Sequence, residues 1–167
     1  MAHVQCCRAY LDIETTGFSP YRNDLTVIGI CIEKGRKASF RQFVGSGISC
    51  NPIRRVFQNV NILYTYNGAR FDLMFIRSKL GIDLSHLCVH RDLMYDCWSR
   101  NLYGGLKKVE KMLGIRRKLK DVDGRMAVQL WWNYRNNGCR ESLKKLLEYN
   151  REDVLNLIYL RKKLNVA

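Results

Sequence analysis

Only two prolines occur in 167 residues, at positions 20 and 52, and neither sits in a proline-rich run. No internal repeat or low-complexity tract marks a linker, so residues 1–167 are expected to form a single domain. No stretch approaches the ~18 successive apolar residues that a membrane helix needs. The opening segment MAHVQCCRAY lacks the long apolar core of a signal peptide. Seven cysteines are present, but no Cys-x-x-Cys pair, which removes the spacing of a zinc site. Their odd number argues against a secreted disulfide framework. The three histidines, His3, His86 and His90, lack metal-type spacing and read as structural or surface residues. These absences point to a soluble, cytoplasmic protein with reduced thiols.

Acidic residues are also scarce. Fifteen stand against 29 lysines and arginines, a net charge of +14. Such a surface attracts a polyanion, of which nucleic acid is the commonest. Hydrophobic residues make up 47% and aromatics 11%, enough for a globular core at this length.

The apolar pattern first follows strand rules. Ala9 to Ile13 reads as a buried strand running into Glu14, and a loop covers residues 15–23. Leu25 to Ile32 is β-branched and apolar, a central strand. A turn around Gly35 returns the chain along Ser39 to Val44, which completes a three-strand antiparallel meander. The rhythm then alternates. A short helix is expected over Ile53 to Phe57, a strand over Asn61 to Tyr66, a helix over Arg70 to Leu80 and a strand over Leu87 to Asp92. Beyond Leu93 the chain reads as helical, with breaks near Gly104-Gly105, Gly114, Gly124 and Gly138, and a last helix over Ser142 to Leu164. A meander followed by alternating elements implies an α/β fold, a mixed sheet of about five strands flanked by helices.

Three acidic motifs stand out. Asp12 and Glu14 are two apart on a strand, so both point to one face while Leu11 and Ile13 point to the other. Two adjacent carboxylates at a strand end are costly unless a cation or protons compensate them, and hard oxygen donors suit Mg²⁺ or Mn²⁺. Two solvated acids at a strand end are the plainer alternative. Asp72 falls in the first turn of a helix after the Asn67-Gly68 turn, where an acid also simply favours the helix dipole. Tyr149 and Asp153 share a helix face at i and i+4, and Glu152 should point away.

The order of these pieces resembles the DEDD superfamily of 3′-5′ exonucleases, in its tyrosine subclass, and is most similar to the YprB-type RNase H-like exonuclease domain. The matching segments are LDIETTGFSPYRNDLTVIGI (11–30), TYNGARFDLMFI (65–76), GLKKVEKMLGIRR (105–117) with DGRMAVQLW (123–131), and LLEYNREDVLNL (146–157). The resemblance implies an RNase H-like sheet and hydrolysis of phosphodiester bonds from the 3′ end of nucleic acid. Single-stranded DNA is the expected substrate, with RNA left open. It further implies two Mg²⁺ or Mn²⁺ ions held by Asp12, Glu14, Asp72 and Asp153. Asp12 would bridge both ions, Glu14 and Asp153 would complete one shell, and Asp72 would serve the other. Tyr149 would orient or help deprotonate the attacking water, and orientation is favoured because a tyrosine with a pKa of ~10 is a poor base.

Substrate contacts are expected from Thr15, Asn67 and Phe71, and from the basic segment Lys107, Lys108, Lys111, Arg116 and Arg117, continued by Lys118 and Lys120. Trp131, Trp132 and Tyr134 could stack on bases, although at least one tryptophan should be core. Asp92 ends a strand and could sit near the site. Three rival readings remain open at this point: an endonuclease on the same fold, a basic binding module without turnover, and a purely structural carboxylate set.

Overall fold

A computed structural model describes residues 6–167; the reading of His3 falls outside them. Among these residues the sheet has five strands in the order β3-β2-β1-β4-β5. These are β1 (Cys7–Thr15), β2 (Leu25–Lys34), β3 (Lys37–Val44), β4 (Ile62–Thr65) and β5 (Val89–Asp92). The first three pair antiparallel, while β4 lies parallel to β1 and β5 parallel to β4. The expected meander and the mixed sheet are therefore both present.

Among the described residues six α-helices cover the sheet: α1 (Cys50–Phe57), α2 (Asp72–Leu80), α3 (Leu93–Trp98), α4 (Leu106–Met112), α5 (Gly124–Asn137) and α6 (Arg140–Lys163). Period-two patterning sorts β1 between the two layers. Ala9, Leu11 and Ile13 pack with Ile53, Phe57, Phe75 and Ile76 of α1 and α2. Tyr10 faces the other way, with Tyr64, Leu93, Val109, Val154 and Leu157 from β4, α3, α4 and α6. A third cluster joins Val27 to Trp131 of α5 and Tyr149 of α6. Trp131 is thus core, and Trp132 is exposed.

Boundaries shift where caps decide them. Gly124 is not a break. It opens α5, because the Asp123 carboxylate accepts from Met126 N and caps the helix. Pro52 lies inside α1, where the first turn leaves N–H groups unpaired and proline costs little. The helix expected from Arg70 begins at Asp72, because a turn at Asn67, with φ of 60°, occupies the preceding residues. A methyl at Gly68 would collide with the Thr65 side chain, so this sharp reversal after β4 requires glycine. No helix among the described residues is long and apolar enough to cross a membrane.

Candidate active site

The parallel pair β1–β4 separates at its C-terminal end. Pairing reaches Tyr10–Tyr64 and stops, two residues before Asp12. Beyond that point the Ile13 amide donates to Asp72 Oδ1 at 3.1 Å, which draws α2 against the opened edge. Ends of diverging parallel strands are where α/β sheets place their ligands. Asp12 and Glu14 occupy this end, on the face covered by α6.

One oxygen from each of Asp12, Glu14 and Asp153 lies within 4.8 Å of the others. Two metal–oxygen bonds of ~2.1 Å span about 4.2 Å, so a small closing rotation would seat one cation among the three. Glu14 is buried, and its Oε1 has no hydrogen-bond partner. A buried carboxylate oxygen without a donor is costly, and a cation would relieve it. The donor set is entirely hard oxygen, which fits Mg²⁺ or Mn²⁺. Asp72 stands just outside this trio but close enough to feel its charge.

The electrostatics follow from this crowding. Burial raises the carboxyl of Asp12 well above its ordinary range, and the charges of Asp153, Glu14 and Asp72 add to the effect. Glu14 is raised in the same way, by burial and then by Asp153 and Asp72. Burial pushes Asp72 up to about 7, against the opposing amide bonds from its own backbone and from Ile13. Asp153 is pushed up to about 6, again by burial, with Arg117 pulling it back. Burial and the charge of Asp153 also raise the Tyr149 phenol, so it stays protonated at physiological pH.

Arg117 takes a different place from the one its basic neighbours imply. It is buried. Its guanidinium donates to both Glu110 oxygens at 2.7 Å and to Asp153 Oδ1. Asn156 Nδ2 also donates to Glu110, at 3.0 Å. The basic run therefore splits: Lys108, Lys111 and Arg116 are exposed, whereas Arg117 is spent inside. Glu152 is not one of the trio; it lies 3.9 Å from Arg117 Nη1 and accepts from Lys118 N and Leu119 N at 2.5 and 3.0 Å. That bond pins the loop carrying Arg117 to α6. Removing one member of a buried ion network leaves the rest uncompensated, at about 3–5 kcal/mol. Arg117→Met should therefore lower unfolding free energy in urea by about that amount, while Arg116→Met should change it by less than about 0.5 kcal/mol.

The remaining expected contacts are dispersed. Lys107 Nζ sits 4.9 Å from the Tyr149 ring centroid, beside the acids, and its charge lowers the Glu14 carboxyl. The Phe71 ring is half-buried, 5.0 Å from Phe75 and 6.4 Å from Phe18. Asn67 is exposed in its turn. Thr15 is buried, and its hydroxyl donates to Gly17 O at 2.6 Å within its own loop. Asp92 accepts from the backbone of Asn67, Ala69 and Met94 at 2.7–3.1 Å, so it shapes the turn ahead of Asp72 and stays out of the trio. His90 bonds Thr65 Oγ1 at 2.8 Å and His86 lies on the surface, both away from the acids.

Three residues that sequence patterns did not single out also belong here. Phe18 is 91% exposed beside Phe71. Asn150 is fully buried and bonds Asp12. Glu110 holds Arg117. An exposed aromatic flanked by small loop residues is a usable signal for Phe18; the other two have no local signature.

A family model of the RNase H superfamily matches residues 9–165. The chain belongs to the RNase H superfamily. No curated protein gives a sequence match. Among solved structures, this RNase H-superfamily chain is similar to the family B DNA polymerase of the hyperthermophilic archaeon Pyrobaculum calidifontis, with a TM-score of 0.69 at 15% identity. That match covers 96% of this chain and 24% of the polymerase, so the chain spans about a quarter of that relative. Brucella melitensis NrnC matches with a TM-score of 0.62 at 21% identity, over 98% of this chain and 74% of NrnC. A product-bound exonuclease I matches with a TM-score of 0.53 at 15% identity, over 87% of this chain and 46% of that one. At these identities the likeness is one of fold, and the fold is the one the DEDD resemblance implies.

Proposed function

We propose that this chain is a divalent-metal-dependent 3′-5′ exonuclease, acting on single-stranded ends of DNA, with RNA as the other substrate to be tested. The observation that carries the reading is the meeting of Asp12, Glu14 and Asp153, which lie on β1 and α6, with Asp72 of α2 beside them. A solved nuclease and an exonuclease I of the same fold support it.

Two Mg²⁺ or Mn²⁺ ions about 3.5–4 Å apart would activate a water and offset charge on the leaving 3′-oxygen. Asp12 would serve both ions, as the family resemblance implies. Glu14 and Asp153 would complete one side, and Asp72 would attend the other. Tyr149 remains a phenol at working pH, so its part is to donate a hydrogen bond that orients the water, not to remove a proton. Lys107 and the exposed Lys108, Lys111 and Arg116 supply positive charge for phosphates, and Phe71 with Phe18 offers rings for the terminal base.

The test is a 5′-labelled oligonucleotide incubated with Mn²⁺, run as single-stranded DNA, duplex DNA and RNA. A ladder shortening from the 3′ end, abolished by EDTA, is expected. Cleavage of a circular single strand would instead identify an endonuclease. Salt-sensitive binding with no product under any divalent ion would leave a binding module.

A further inference from the structure

The Asp12 carboxylate is held by a relay of two amides that no motif announces. Asn150 Nδ2 donates to the backbone oxygen of Asp12 at 3.0 Å and to its Oδ2 at 3.0 Å. Asn150 Oδ1 accepts from Gln42 Nε2 at 2.9 Å, and the same Nε2 donates to the backbone oxygen of Leu147 at 2.9 Å. A side-chain amide can turn either way, so what matters is which end faces the acid. Both ends of this relay are fixed by backbone carbonyls, which only accept. Leu147 O demands the NH₂ of Gln42. That NH₂ demands the oxygen of Asn150. Asp12 O then receives the NH₂ of Asn150, and the same group grips the carboxylate.

The space for the relay is also built. Gly29 on β2 lies opposite Asp12 in the sheet register. A methyl there would overlap Asn150 Oδ1 and would lie 3.0 Å from Val154 Cγ2. Glycine lets α6 come down onto the strand so that Asn150 reaches Asp12. Asn150 has no solvent exposure, so the pair is not a surface accident.

We infer that Asn150, oriented by Gln42, is a positioning residue that holds the Asp12 carboxylate in the rotamer that receives divalent metal. This rests on the nuclease reading for the identity of the ligand. The physical ground is general: partners that hydrogen-bond a metal-ligating carboxylate fix its direction, and their loss typically weakens metal affinity or activity about 10–100-fold. Gln42 sits on β3, two strands from β1, so it acts on Asp12 only through Asn150.

The substitution Q42E keeps the shape but replaces the donor with acceptors. The new carboxylate attracts the Asn150 NH₂ and turns its carbonyl towards Asp12. Q42M keeps the volume and removes the donor, leaving Asn150 held from the Asp12 side alone. Mn²⁺ alone is titrated calorimetrically into the full chain, without nucleic acid, for wild type and both variants. Melting of each metal-free protein is recorded in parallel. Q42E should bind Mn²⁺ about 10-fold or more weakly, and Q42M by a smaller factor in the same direction. A role in packing alone would lower melting temperature and leave Mn²⁺ affinity of the folded protein unchanged. Affinity within twofold of wild type in both variants overturns the inference and spares the nuclease reading. Should Q42E not fold, Q42M decides by the same criterion. A wild type that takes up no Mn²⁺ sinks the metal site itself, and the relay with it.

Discussion

Asp12→Asn should abolish cleavage while leaving the fold intact. Asp12 is the acid proposed to serve both ions, and asparagine keeps its size and its bond to Asn150 while removing the charge. Several kcal/mol of transition-state stabilisation are expected from such ions. At about 1.4 kcal/mol per tenfold, the loss should be on the order of 10³-fold or more. The metal-free variant should melt no lower than wild type, and higher at neutral pH, because one charge leaves a cluster of mutually repelling acids. Activity lost together with the fold would not be this result. The expected pattern is an inactive protein that is folded and equally or more stable. The measurement pairs single-turnover cleavage of a labelled oligonucleotide with thermal melting of the same samples.

Raising pH should destabilise the metal-free protein across the range in which most proteins are steady. Asp72 is held at about 7 and Asp153 at about 6 in the folded state, against ordinary values of 3.8. From about pH 4 upwards the unfolded chain has released these protons while the folded chain still carries them. The folded state thus binds more protons in this window. Its stability is complete below the ordinary carboxyl value and falls as pH rises through 6 and 7. Burial lowers His90 below its ordinary 6.5, which acts in the opposite sense and blunts the effect. Between pH 5 and 7.5 the melting temperature should drop on the order of 5–10 °C without metal. Millimolar Mn²⁺ at pH 7.5 should restore it, because an ion that binds only the folded state stabilises by mass action. Asp72→Asn should flatten the metal-free slope. A melting temperature that climbs steadily from pH 5 to 7.5 in EDTA would show that the acids are not crowded as described.

What could be read from the chain was whatever a local period encodes. Asp12 and Glu14 share a face because a strand repeats every two residues, and Tyr149 and Asp153 share one because a helix repeats every 3.6. Asp72 could be placed by a turn signature and a helix start, but its role came only from the family resemblance. The five strands and their mixed direction were legible for the same reason. Gln42 and Asn150, by contrast, lie 108 residues apart and meet only when α6 crosses the meander. Arg117 looked like one more cation in a basic run. Its burial depends on Glu110 one helix earlier and Asp153 on the last helix, a constraint invisible at either position alone. Gly124 read as a break because glycine usually is one, yet the cap at Asp123 turned it into a beginning.

The central claim is that three separated elements bring their carboxylates onto divalent cations. A crystal of the full chain soaked in Mn²⁺ and measured near the manganese absorption edge addresses it directly. An anomalous peak bonded to oxygens of Asp12, Glu14 and Asp153, with a second peak towards Asp72 once nucleic acid is present, is the expected map. A fully soaked crystal with no peak among these four acids would contradict it.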